Sequence, residues 1–146
     1  MSIQSAINTI LEADPSVVGA VDSYTSTSGT EYMIFASIGL PTTVKTATGT
    51  QKLSTENKTI NHYYISPIPG SNEAVQINYV VDCRADTEVE SKAIRDAVFN
   101  TLNRQRDDNN CYFFVCAKSE PIPPKDADDN YNAVVNISAH GLLNNE

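Results

Sequence analysis

The stretch Val75-Gln76-Ile77-Asn78-Tyr79-Val80-Val81-Asp82-Cys83-Arg84-Ala85-Asp86-Thr87-Glu88, with the segment that follows it to Leu102, decides the fold. Val75, Ile77, Tyr79, Val81 and Cys83 alternate with Gln76, Asn78, Val80, Asp82 and Arg84. A period of two makes this a strand with one apolar and one mostly wet face. After it the period lengthens, and Val89, Ala93, Ile94, Ala97, Val98 and Leu102 form an apolar helical stripe. Thr87 and Glu90 have the spacing of a capping box, and Glu88 lies one turn before Lys92. Arg104 and Arg106 suit the negative end of the helix dipole.

On the N-terminal side, Ile3, Ala6, Ile7, Ile10 and Leu11 recur at helical spacing, with Ser2 as a cap. Asp14-Pro15 ends this helix and starts a short second one, because the residue before a proline is pushed out of the α region. Val17, Val18 and Val21 then fold back on the first helix. From Tyr32 to Ile38 the period is two, which predicts a strand broken at Gly39-Leu40-Pro41. Residues 42–59 are Thr-rich, carry Lys45, Lys52 and Lys58 against the single acid Glu56, and have Gly49 as a turn. Residues 42–58 are expected to form an extended hairpin or flexible arm, with Lys45, Lys52 and Lys58 as its partner-contacting residues.

Residues 60–65 predict a further strand, closed by turn residues at 67–72. Beyond the long helix, Asp107-Asp108-Asn109-Asn110 makes a turn into a strand at 111–118 that is apolar on both faces. A loop with Pro121, Pro123 and Pro124 leads to a last alternating strand at 131–140. No internal repeat is expected. The order predicts one α+β domain over 1–146, a mainly antiparallel sheet with two helices on one face. Phe35, Val80, Phe114 and Val134 fall opposite the cleanest apolar sets and mark an expected subunit interface.

Composition bounds the chemistry. The chain has 146 residues, 40% apolar and 19% charged, which is ordinary for a single folded domain. A net charge of −8 argues against nucleic acid as a tightly held ligand, since phosphate binding runs on Lys and Arg. No apolar run approaches the roughly 20 residues of a membrane span, and no signal-peptide pattern opens the chain. A soluble protein of the cytosol is expected. The cysteines Cys83, Cys111 and Cys116 each lie in an apolar run, so no structural disulfide is expected.

No residue set supports catalysis. His62 and His140 are the only histidines, both read as partly exposed strand positions, and neither is flanked by a nucleophile motif. No cysteine or histidine pair has metal-ligand spacing. Asp126, Asp128 and Asn130 match the first three ligand positions of a calcium loop. Tyr131 and Ile137 stand where its glycine and bidentate glutamate belong, so a solvated loop is expected. Phosphate-binding glycine motifs are absent. No catalytic, cofactor or metal residue is assigned, and the chain is not expected to be an enzyme.

The order and wording of the elements resemble the tail-completion or tail-terminator proteins of long-tailed phages. The resemblance rests on Ala13-Asp14-Pro15-Ser16-Val17-Val18, Tyr32-Met33-Ile34-Phe35 and, above all, the stretch from Val75 into the helix ending near Leu102. The strand at 111–118, the Ser119-Glu120-Pro121 break and the final strand also fit. The Thr-rich arm departs from the family pattern, as does the lack of a Pro-Gln-Gly segment before the first strand. The resemblance implies a virion protein assembled in the host cytoplasm into a ring, usually a hexamer. Such a ring caps the tail tube, stops its polymerisation and joins it to the head connector. Its implied partners are other copies of itself, the tail tube protein and head–tail connector proteins, with DNA passing through without sequence-specific binding. A head-completion or neck ring of the same particle is the alternative.

Overall fold

A computed structural model describes residues 3–65, 76–107 and 112–141. The expected Ser2 cap, the turn at 67–72, most of the turn at 107–110, and Val75 and Cys111 lie outside the described residues. Helix α1 (Ile3–Ala13) buries Ile3, Ala6, Ile7 and Leu11. A single turn, α2 (Pro15–Val18), follows with Pro15 in its first turn. Asp14 caps it, its carboxylate accepting the Ser16 N–H at 2.8 Å. Hydrogen bonds from Ser16 and Thr101 hold the Asp14 carboxyl below its ordinary range.

The strands that follow are β1 (Ser23–Ser26), β2 (Gly29–Tyr32), β3 (Ile34–Phe35), β4 (Thr43–Thr46), β5 (Gly49–Lys52), β6 (Thr59–Tyr64) and β7 (Gln76–Ala85). Then come α3 (Glu88–Leu102), β8 (Arg106–Asp107), β9 (Tyr112–Lys118) and β10 (Tyr131–Gly141). The main sheet has the order β3-β6-β7-β10-β9-β8. It is antiparallel except for the short parallel pair β3–β6. The fold is therefore α+β, with α1 and α3 side by side on one face.

Ile77, Tyr79, Val81, Cys83 and Ala85 from β7 meet Ala133, Val135, Ile137 and Ala139 from β10 beneath the helices. Phe114 joins them. It pairs with Ala139, and cross-strand partners share a face, so it lies on the helix side at 0% exposure. This corrects its assignment to a subunit interface. Val80 does lie on the opposite face, yet at 6% exposure it too offers no free surface.

Helix α3 has the expected extent and Thr87 cap, the hydroxyl accepting the Glu90 N–H at 3.2 Å. Its buried stripe is phased differently, as Ser91, Ile94, Arg95, Val98 and Leu102. Val89 is 77% exposed and Ala93 is exposed. Ser91 tolerates burial because its hydroxyl donates to the Cys83 carbonyl at 2.8 Å. Arg95 does so because its guanidinium donates to the Ser119 carbonyl at 2.9 Å and to Asp96.

The expected strand from Tyr32 to Ile38 is interrupted. Met33 donates its N–H to the Asp22 carbonyl and accepts from the Ile60 N–H, so the chain steps from a hairpin onto the main sheet. Only Ile34 and Phe35 pair there, while Ile38 is 77% exposed.

Candidate assembly surface

The sheet face away from the helices divides into two ends of different chemistry. At one end a row runs Phe35, Asn61, Asp82, Val134 across β3, β6, β7 and β10. A second row, Thr59, Arg84, Asn132, lies beside it. The expected interface residues Phe35 and Val134 are thus the half-buried ends of a row whose middle is polar. Asp82 accepts from Asn61 at 3.1 Å and Asn132 at 3.2 Å and lies 3.7 Å from the Arg84 guanidinium. Asn61 also donates to the Ser37 and Ile38 carbonyls, which draws that loop over the row. A cavity of about 540 Å³ remains above Arg84, walled by residues such as Pro41, Lys52, Ser54 and Asp128.

The other end is open and free of acids. Its rows run Tyr63, Val80, Asn136, Ala117; then Asn78, Ser138, Val115; then Gln76, His140, Phe113. These rows contain no Asp or Glu; their one charged residue is Arg106 on β8, which pairs with Phe113 at the end of the last row. Val115 is 43% exposed and Ile65, at the end of β6, is 58% exposed. Gln76 donates to the Ser138 hydroxyl at 2.9 Å, and Ser138 lies 3.1 Å from His140 Nε2. Amides and hydroxyls carry donors and acceptors together, so two copies of such a face can satisfy one another.

Two hairpins stand apart from the main sheet. β4 and β5 form the hairpin expected within the arm, and β1 and β2 form another that the residues had not suggested. Ser26-Thr27-Ser28-Gly29-Thr30 and Thr46-Ala47-Thr48-Gly49-Thr50 make the same turn twenty positions apart. In each, the first hydroxyl accepts the N–H two residues on, and the glycine has positive φ, 121° at Gly29 and 152° at Gly49. The Ala47 N–H donates to the Thr25 carbonyl at 2.9 Å, so the fingers lie side by side. This twin is an internal repeat, legible in retrospect from the shared turn sequence.

Lys45 and Lys52 are exposed on the second finger. Lys58 is not part of it: its N–H and carbonyl bond to Asp22, and its ammonium lies 3.9 Å from Glu90. The arm proper therefore ends at Lys52, because the chain returns to the body beyond it.

The residues weighed for chemistry are occupied by the fold. His62 is fully buried rather than partly exposed, with Nδ1 2.5 Å from the Tyr79 hydroxyl and Nε2 2.8 Å from Asn8 Oδ1. Burial pulls its pKa from 6.5 to about 4, so it is a neutral core residue. The Cys83 thiol is buried and pushed well up; burial raises the Cys116 thiol to about 12. In the acidic loop, Asp126 accepts the Asp128 N–H at 2.9 Å and Asp129 accepts the Lys125 N–H at 3.1 Å. These carboxylates cap their own loop. Among the described residues no three His, Cys, Asp or Glu side chains converge as a metal site would require. No helix among them is long and apolar enough to cross a membrane. No family model, curated protein or solved structure matches the chain.

Proposed function

We propose that the protein is a non-catalytic virion component of a long-tailed phage. In this reading it forms a ring, a hexamer by the resemblance, that caps the tail tube, ends its polymerisation and joins it to the head connector. The observation that carries the self-assembly is the open end of the sheet, whose rows hold no Asp or Glu. In a chain of net charge −8, copies repel wherever their acidic surfaces meet, and an end of the sheet face without Asp or Glu, with Arg106 at its edge, is where they approach at least cost. Apolar Val115 and Ile65 beside amides on that face suit a subunit contact. The place at the tail end rests on the resemblance in element order and in the stretch 75–102. An acidic ring also suits DNA passage without adhesion. Its partners in this reading are further copies, the tail tube protein and the connector proteins, with assembly in the host cytoplasm.

Electron microscopy of particles lacking the protein tests the role. Over-long tail tubes are the expected outcome; leaky heads beside normal tails would move the protein to the head-completion or neck ring.

A further inference from the structure

The two fingers share one scaffold and differ in charge. In the first, Ser23, Thr25, Thr30 and Tyr32 share a face; the equivalent quartet in the second is Thr43, Lys45, Thr50 and Lys52. Val44 is buried on the opposite side of the second finger, while Lys45 and Lys52 are exposed, Lys52 at the rim of the cavity above Arg84. Neither lysine has an ion-pair partner among the described residues, whereas Lys58, Lys92 and Lys118 each have one. No acid occurs between Glu31 and Glu56. The fingers also lack packing of their own, Val44 being the only buried residue in their four strands. Two-stranded ribbons of that kind are marginal in water unless something packs on them.

We propose that the Lys45–Lys52 face of the second finger docks on carboxylates of a second copy of this chain. The inference rests on the ring reading above and adds a contact distinct from the open sheet face. Charge chooses the occupant: the finger is the basic exception in a chain of net −8, and Asp86 and Asp126 stand exposed on its body. Finger and acceptor are different surfaces, so the contact is head-to-tail, the kind that repeats around a closed ring.

Mixing ¹⁵N-labelled and unlabelled full-length chains, then joining touching ammonium and carboxylate groups with a zero-length carbodiimide, tests this by mass spectrometry. Linked peptides pairing Lys45 or Lys52 of one isotope with an acidic residue of the other are expected. The K45Q/K52Q variant should associate at least about tenfold more weakly at low salt, and K45R/K52R like the parent. Oligomers without such mixed links would overturn the finger contact and leave the ring reading standing. A chain that stays monomeric at every concentration would overturn both. In whole particles, links from these lysines to a different protein would overturn the second copy in favour of an acidic foreign partner.

Discussion

His62 Nε2 lies 2.8 Å from Asn8 Oδ1, so a buried imidazole on β6 ties helix α1 to the sheet. Its other nitrogen meets the Tyr79 hydroxyl, and Tyr79 in turn packs edge-on against Tyr64. Burial lowers its pKa from 6.5 to about 4, which fixes the sign of a pH effect. Between those values the unfolded chain takes up a proton that the folded chain refuses, so stability is full above pH 6.5 and falls as the pH drops toward 4. The loss approaches about 3 kcal/mol over that window. Urea midpoints at pH 7 and pH 4.5 check it. His62→Gln should be less stable at pH 7 but nearly flat across the interval; an unchanged slope would assign the acid sensitivity to other groups.

Arg95 sits at 7% exposure on α3, its guanidinium shared between the Ser119 carbonyl and Asp96, which also receives Lys118. Removing it leaves a partly buried carbonyl without its donor and empties the space of the aliphatic stem. Arg95→Ala should cost about 2–3 kcal/mol in chemical denaturation. Val89→Ala on the same helix, at 77% exposure, should change stability by less than about 0.5 kcal/mol. Equal costs would restore the stripe that hydrophobicity alone suggests.

The contrast between Arg95 and Val89 shows where the sequence was legible. Strand β7, helix α3 and the α+β class could be read because alternation, a capping pair and a change of period are local properties. The phase of α3 could not, since what makes Ser91 and Arg95 acceptable inside is a pair of carbonyls, Cys83 and Ser119, supplied by distant strands. Phe114 was misplaced for a related reason: a strand apolar on both faces has no pattern to orient it, and only its pairing with Ala139 does.

The first finger was missed because Ser23-Tyr24-Thr25-Ser26 and Gly29-Thr30-Glu31-Tyr32 carry no apolar alternation. Its signal was the repeated turn, not hydropathy. For the assembly surface, the lysines Lys45 and Lys52 were legible as a charge exception, whereas the uncharged rows on β7, β9 and β10 exist only once the strands are in register.

The glycines of the twin turns make a separate prediction. Gly29 and Gly49 hold φ of 121° and 152°, where a side chain is strained even though a Cβ would meet nothing within 4 Å. Each Gly→Ala change should therefore cost about 1 kcal/mol through the backbone alone. The loss falls on the finger, not on the core, because finger residues other than Val44 are not buried. Amide hydrogen exchange should accelerate several-fold in the altered finger while β7 and β10 keep their protection. Gly39→Ala, at a glycine without positive φ and with open space around it, serves as the comparison and should exchange like the parent.

The open end of the sheet supplies the sharpest test of self-assembly. Val115 is 43% exposed and shares a row with Ser138 and Asn78, with Asn136 and Ala117 in the next row, so Val115→Glu and Asn136→Asp place a carboxylate on an end of the sheet face that has none. An exposed side chain can carry that charge with little effect on folding, within about 0.5 kcal/mol. Buried between two copies the same charge loses its water without gaining a partner, which costs several kcal/mol. Each variant should keep the parent's denaturation midpoint and lose association by size-exclusion chromatography with light scattering. Glu120→Gln, on the exposed loop after β9, changes charge away from this face and should assemble as before. If Val115→Glu assembled like the parent, copies would have to meet elsewhere, and the open face would be free for a partner that is not this chain.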